Sequence, residues 1–158
     1  MPVVTDIFSL INHRIPQKDG NYENYGCAGI GNFDADAKTL GRPVDDVDKA
    51  LNTRKHCIRC IKKDLGLGYQ PYNYHENNNH CTDAAGTTDR AFCECDLEFV
   101  ETVMGLETPN SNFDTSQCIP ITTRNKGECC KSSLGLYKWY NPLRSCCTDG
   151  IVVANGGC

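Results

Sequence analysis

The sequence lacks any long apolar run, so a transmembrane helix of about 20 apolar residues is excluded. It has no Asn-X-Ser/Thr sequon for N-glycosylation. Its opening residues, MPVV, are not typical of a targeting signal. A prediction of secretion must therefore rest on other residues of the chain.

Positive charge is also scarce, since 16 Lys and Arg face 20 Asp and Glu, giving a net charge of −4. This balance argues against nucleic acid as the main partner and gives no general attraction to anionic membranes. The basic residues that do cluster, Lys55, Arg59, Lys62 and Lys63, are most simply a solvated helix face.

Cysteine is abundant, with twelve residues in a chain of 158. Because the cytosol keeps thiols reduced, this number predicts a secreted, disulfide-stapled protein with up to six bridges. The CIRC stretch at Cys57–Cys60 also matches a redox motif or half of a zinc site. No thioredoxin-like strand precedes it, so a structural disulfide role is favoured. The length suggests one domain, with a small appendage as the alternative.

One amphipathic helix is predicted from Pro43 to about Lys63, and an arginine lies on its apolar stripe. Acidic residues in its first turn suit the helix dipole. The stripe recurs in steps of 4, 3, 4 and 3, which is the spacing of one helix face. Its members are Val47, Leu51, Arg54, Ile58 and Ile61.

The sequence signals for the other predicted elements are weaker. A second long helix, RAFCECDLEFVETVM, is predicted to begin at a Thr88 or Asp89 cap and to end at Gly105. Its apolar stripe is Phe92, Cys95, Phe99 and Val103. Shorter predictions are a helix over 4–13, a polar loop after Pro16 that continues over 25–43, and a strand ribbon or ordered loop over 69–86.

Three motifs occur in a familiar order: YENYGCAGIGN at 22–32, GRPVDDVDKALNTRKHCIRC at 41–60 and FCECD at 92–96. Together they resemble secreted phospholipase A2 over roughly residues 5–118. The resemblance implies a mainly α, disulfide-rich fold. Two long antiparallel helices, a short N-terminal helix and a small β ribbon would form one domain over 1–118. A cysteine-rich tail would follow over 119–158.

The resemblance also identifies a remnant site in which two residues are replaced. The family's catalytic histidine falls at Arg54 and its calcium-binding aspartate at Lys55, while the aspartate of the second helix is kept as Asp96. Guanidinium has no lone pair with which to accept a proton from water. An ammonium at Lys55 would repel calcium. We therefore predict a protein that is not an enzyme and has no cofactor.

Two interpretations of Arg54 follow. It forms an ion pair with Asp96, supported by Tyr72 or Tyr74 as the resemblance implies, or it snorkels to solvent. His56 is the alternative base. It lies two residues further along the helix, about 200° around it, and so points away from the family site. A surface histidine is the simpler interpretation.

The calcium loop of the family is altered. Ala28, Gly29 and Gly31 remain as a vestigial loop, but its second cysteine is missing, as is that cysteine's partner at Leu51. The inserted Asp34 and Asp36 alternate as in a calcium loop, yet Lys38 and Thr39 break the EF-hand pattern. A solvated acidic loop is favoured, and weak calcium binding stays open.

The resemblance implies three disulfides: Cys57–Cys95, Cys81–Cys93 and Cys27–Cys118. Cys60 then remains with the five cysteines of the tail, and their pairing is left open. The tail has two Cys-Cys pairs, a Tyr-Asn-Pro before the second and a glycine after it. In this it resembles the double-cysteine repeats of galaxin-type proteins from mineralised skeletons. A generic disulfide knot is the alternative.

Four functions are compatible with these residues. The first is a secreted protein that binds a lipid or other apolar ligand in the former acyl channel, walled by Ile7, Ile11, Phe92 and Phe99 with Arg54 at its polar end. The second is an extracellular structural protein of a matrix or mineral surface, as in the phospholipase A2-like otoconins. The third is a membrane-damaging toxin, which the negative charge disfavours. The fourth, an active lipase, lacks a His-Asp pair.

Overall fold

The computed structural model describes residues 4–15, 19–23, 25–29, 39–109, 113–120 and 127–157. No helix in these ranges is long and apolar enough to cross a membrane. Within the same ranges the predicted disulfide-rich fold of helices and small β ribbons is confirmed. The helices are α1 (Ile7–Arg14), α2 (Asp19–Glu23), α3 (Asp46–Leu65) and α4 (Thr88–Met104), with a 3-10 turn at Thr115–Gln117.

The strands pair as antiparallel hairpins, one between the long helices and two in the tail. The first joins β1 (Tyr74–His75) to β2 (His80–Cys81), where a ribbon or loop was predicted. The tail hairpins join β3 (Glu128–Lys131) to β4 (Tyr137–Tyr140) and β5 (Ser145–Thr148) to β6 (Ile151–Ala154).

Helix α1 begins later than the predicted residue 4 because Asp6 caps it. The Asp6 carboxylate accepts the Ser9 backbone N–H at 2.9 Å, and the Ser9 hydroxyl accepts the Asp6 backbone N–H at 3.1 Å. This capping box fixes the first turn. Helix α2 lies where a polar loop was predicted, since its Tyr22 is buried and packs edge-on against Phe99 with ring centroids 5.8 Å apart.

Helix α3 begins three residues after Pro43 because Asp45 is its N-cap and accepts the Asp48 N–H at 2.9 Å. It ends at Gly66, whose φ of 73° is the left-handed conformation that glycine adopts freely. The whole predicted stripe is buried, including the arginine: Val47, Leu51, Arg54, Ile58 and Ile61.

Helix α4 is capped by Thr87, one residue before the predicted positions, and its four stripe residues are buried. The Cys57–Cys95 disulfide joins it to α3. Lys49 at the start of α3 and Thr102 near the end of α4 line one cleft, as expected for helices that run in opposite directions.

The described disulfides join distant parts of the chain. Three of them are Cys27–Cys118, Cys57–Cys95 and Cys81–Cys93. The pairing left open by the sequence is Cys60–Cys129 and Cys130–Cys147. Cys146 is also disulfide-bonded, and Cys158 lies outside the described residues.

The tail hairpin β3–β4 docks along one line of α3, formed by His56, Cys60 and Asp64 at steps of four residues. Cys60 forms the disulfide to β3. Asp64 accepts hydrogen bonds from the Tyr137 hydroxyl and from the Lys131 ammonium, the latter at 3.1 Å. The tail is thus attached covalently and electrostatically to the helix. The boundary at residue 119 stays a prediction.

His56 provides the third contact between α3 and the tail. Neither of its predicted roles, alternative base or surface histidine, describes it. Its ring stacks on the Trp139 ring of β4, with centroids 4.4 Å apart and planes 7° from parallel. The Nδ1 atom is buried and has no hydrogen-bond partner. Burial, and then the positive charges of Arg59 and Lys55, lower the pKa of His56 to about 4.

We predict that this stack makes stability pH-dependent. Because the folded pKa lies below the unfolded value of 6.5, the unfolded chain takes up a proton first as the pH falls. Stability is therefore full above pH 6.5 and is lost as the pH falls through about 4. For this partly exposed ring we expect a loss of about 2 kcal/mol. Denaturant unfolding, followed by fluorescence of the single tryptophan, measures it.

The matched variant is His56→Phe, which keeps an aromatic ring on Trp139 but does not titrate. It should lose the part of the pH slope that His56 supplies. An equal slope in the wild type and in this variant would show that other groups cause the acid sensitivity.

Candidate functional site

The two long helices meet at a buried ion pair. The Arg54 Nε on α3 donates to the Asp96 Oδ1 on α4 at 2.6 Å. Their side chains are 1% and 0% exposed, so the guanidinium does not reach solvent. The buried stripe of Val47, Leu51, Ile58 and Ile61 therefore also includes the charge of Arg54. Asp96 on α4 compensates that charge.

Two tyrosines complete the coordination of Asp96. The Tyr72 hydroxyl donates to Asp96 Oδ2 at 2.7 Å, and the Tyr69 hydroxyl donates to the same oxygen. The Tyr69 oxygen also accepts the Ile7 backbone N–H at 2.9 Å, which links α1 to the site. Both carboxylate oxygens of Asp96 are thus engaged by charged or hydroxyl donors.

Tyr74, the other tyrosine predicted as a support, lies elsewhere. It belongs to strand β1, and pairing with β2 directs its hydroxyl to Arg14 at 3.3 Å and to Asn79 at 3.2 Å. Tyr69 was missed, although it begins the same tyrosine-rich GYQPYNY stretch. Its position three residues before Tyr72 was the available signal.

Electrostatic interactions keep the two tyrosine hydroxyls and the guanidinium of this cluster protonated. Burial, and then the negative Asp96, raise the pKa of both Tyr69 and Tyr72, so their hydroxyls stay neutral donors. Burial alone would lower the pKa of Arg54, but attraction to Asp96 outweighs it and raises that pKa. The Arg54 Cζ also lies 5.3 Å from the centre of the Tyr69 ring, a cation–π contact.

Lys55, predicted to lie on a solvated helix face, is instead fully buried, and Asp48 anchors the preceding loop. The Asp48 carboxylate accepts backbone N–H groups from Cys27 at 2.8 Å, Ala28 at 3.2 Å and Gly29 at 2.7 Å. These donors satisfy its oxygens. Gly29 packs so closely that a Cβ would lie 2.3 Å from the Leu51 side chain.

Calcium does not fit the residues described here. The carboxylate of Asp48 is occupied by N–H donors, and the residue that aligns with the family's calcium-binding aspartate is the buried Lys55. The described ranges contain no cluster of three or more His, Cys, Asp or Glu that could hold a metal. Gly31, Asp34 and Asp36, which the sequence also suggested, lie outside the described residues.

The predicted walls of an acyl channel pack against each other instead. Ile7, Ile11, Phe92 and Phe99 are each at most 2% exposed and belong to one core cluster. A cleft of about 410 Å³ does open between α3 and α4, and Arg54 and Phe99 line it. The other three predicted residues do not line this cleft, because the core fills the space around them.

Comparison with known proteins finds a weak similarity over more than half of the chain. Over 107 residues, 62% of this chain, the sequence is 28% identical to "Group IID secretory phospholipase A2" of Homo sapiens, and the match covers 68% of that protein. No protein-family profile matches the chain. The similarity is weak, but with the many disulfides it supports a phospholipase A2-like protein.

We predict that Asp96→Ala destabilises the fold strongly, because it leaves the Arg54 charge buried without its carboxylate. The expected loss is about 3–5 kcal/mol in the free energy of unfolding. The double variant Arg54→Met with Asp96→Ala should recover much of this loss, since neither charge of the pair then remains buried without its partner. Guanidinium unfolding of the oxidised protein measures both.

The surface pair Lys49 and Asp46, 3.7 Å apart and largely exposed, is the matched control. Its single variants should each change stability by less than about 1 kcal/mol. Equal losses in Asp96→Ala and in the double variant would mean that packing, and not charge, causes the effect.

Proposed function

We propose that this chain is a catalytically inert, phospholipase A2-like protein that acts by binding rather than by hydrolysis. The observation that carries the proposal is the buried Arg54–Asp96 pair at the remnant site. A general base must offer a lone pair to the proton it removes, and a guanidinium paired with a carboxylate offers none. The engaged Asp96 and the buried Lys55 leave neither a base nor a calcium ligand in their place.

An extracellular location belongs to the same proposal. Every described cysteine is in a disulfide, and such bridges persist in oxidising compartments. The similarity to a human protein named as secretory supports the same location.

For the ligand we propose an apolar molecule with a polar end, such as a lipid, bound in the α3–α4 cleft. Phe99 and Leu106 give the cleft apolar wall, and Arg54 lies at the same cleft. Thr53 and Lys49 supply polar groups along its edge. This arrangement of apolar walls with a few polar groups is the usual design of a small-molecule site. The cleft replaces the former acyl channel, whose walls pack into the core.

A structural role in an extracellular matrix or at a mineral surface is the second candidate. The observation that favours it is the tail, which the Cys60–Cys129 disulfide fixes to α3. A tail fixed in this way presents a rigid surface. Its resemblance to galaxin-type repeats of mineralised skeletons suggests a structural role.

Inertness is tested by incubating the oxidised protein with phospholipid vesicles and calcium and measuring fatty acid release. We expect no release above the buffer control, under conditions in which an active secretory phospholipase A2 hydrolyses the vesicles. Calcium-dependent release that the Arg54→Ala variant abolishes would refute the proposal. A vesicle-leakage signal without hydrolysis would point to the toxin alternative.

The ligand is tested by denaturing the purified protein and identifying extracted small molecules by mass spectrometry. A lipid in stoichiometric amount should be present in the wild type and depleted in Thr53→Trp, whose indole fills the cleft. Thr148→Trp in the tail is the matched control and should retain the lipid. Extraction of no molecule from the wild type would favour the structural role.

A further inference from the structure

Two clefts lie next to each other along helix α4. The first is the α3–α4 cleft of about 410 Å³, and the second, of about 360 Å³, lies where the tail meets α4. We call the second the tail cleft, because residues 136–138 of the tail form part of its lining. The two clefts adjoin and form one groove, since they share four lining residues: Cys57, Cys95, Glu98 and Thr102.

The groove follows most of the length of α4. Along this helix and its C-terminal extension it runs from Ala91 in the tail cleft to Leu106 in the α3–α4 cleft. At 1.5 Å per residue, the helical part over 91–104 is about 20 Å long. Apolar side chains line both halves, with Phe99 in one and Leu136 in the other. A groove of this length suits an extended chain better than a compact molecule.

Most charges along the groove are already paired and so cannot select a ligand. Each of the acidic or basic lining residues in question has a partner of opposite sign within 4 Å. The pairs are Asp46–Lys49 at 3.7 Å, Arg54–Asp96 at 2.6 Å, Arg90–Glu94 at 2.8 Å and Arg14–Glu101 at 3.8 Å.

Two lining charges remain, and they have opposite signs. Glu98 and Lys138 are exposed, and neither forms an ion pair with the other or with any further residue that the structure describes. Glu98 lines both clefts, whereas Lys138 lines only the tail cleft. The negative charge therefore lies where the two halves of the groove meet, and the positive charge belongs to the tail half.

We propose that the groove binds a single-chain amphiphile with a zwitterionic head group, whose cation lies next to the chain and whose anion lies at the far end. This inference rests on the proposed function and names the class of its ligand. The alkyl chain lies in the α3–α4 cleft, the ammonium at Glu98 and the acid group at Lys138. Each unpaired charge then gains a partner of opposite sign. A head group of one sign would leave one of them unmatched.

The tail is part of this ligand site. Lys138 stands between Tyr137, whose hydroxyl donates to Asp64 on α3, and Trp139, which stacks on His56. These two contacts fix the backbone at Lys138 beside the groove. The attached tail thus supplies the half of the head-group site that binds the anion.

The test compares head groups carried on the same alkyl chain, each used below the concentration at which it forms micelles. An alkyl sulfobetaine has the proposed charge order, and an alkyl phosphocholine has the reverse order. An alkyl trimethylammonium and an alkyl sulfate carry one charge each. Isothermal titration calorimetry of the oxidised protein measures each Kd. We expect the sulfobetaine to bind about threefold to fivefold more tightly than the other three.

Neutral variants then assign the two charges. Glu98→Gln should weaken binding of the sulfobetaine and the trimethylammonium by about threefold to fivefold and should not weaken binding of the sulfate. Lys138→Gln should weaken binding of the sulfobetaine and the sulfate and should not weaken binding of the trimethylammonium. The matched controls are Glu23→Gln and Lys63→Gln, at exposed residues that line neither cleft, and they should bind like the wild type.

Thr53→Trp separates this inference from the proposed function, because its indole fills the half of the groove that holds the chain. Suppose that Thr53→Trp abolishes binding but the wild type prefers no head group, prefers the phosphocholine, or binds as both Gln variants do. The head-group inference is then overturned and the proposed lipid site stands. If no amphiphile binds the wild type, the proposed lipid site and this inference fail together.

Discussion

The buried contact between Arg54 and Asp96 is the constraint on which the rest of the structure depends. Removing two charges from water is costly, and only close geometry with additional hydrogen bonds offsets that cost. Residues next to the ion pair meet this requirement. The Cys57–Cys95 disulfide joins the helices within one turn of the pair, and Tyr72 donates to the remaining carboxylate oxygen at 2.7 Å. Tyr69 does the same and ties α1 to the pair through the Ile7 N–H.

The same geometry bears on function. At the position where the resemblance places a catalytic base, a buried guanidinium pairs with Asp96. The described part of the loop before α3 is held by backbone donors to Asp48. These contacts serve stability where an enzyme would need a proton acceptor and a cation site. They are the physical basis for proposing binding in place of hydrolysis.

The sequence predicted features that repeat at a helix period or match a long motif, and it missed those that depend on single contacts. The stripe from Val47 to Ile61 predicted α3, and its out-of-place arginine, taken with the resemblance, predicted the ion pair with Asp96. The observed helix starts differ from the predicted ones by one to three residues, because Asp45 and Thr87 have neighbours of similar capping propensity. The tail strands have four residues each, too few for a clear alternation, so the tail hairpins were not predicted.

Helix α3 links these observations, because different faces of it perform different tasks. One face buries Arg54 against α4, and the line of His56, Cys60 and Asp64 receives the tail. Spacing at four residues puts these three on one face of α3. The line was not predicted, because Trp139 meets His56 only in three dimensions. The exposed residues of the helix lie at both ends, with Lys49 and Thr53 near its start and Lys62 and Lys63 in its last turn. Helix α3 therefore serves two neighbours at once, because the ion pair holds α4 while the Cys60 disulfide and the Asp64 hydrogen bonds hold the tail.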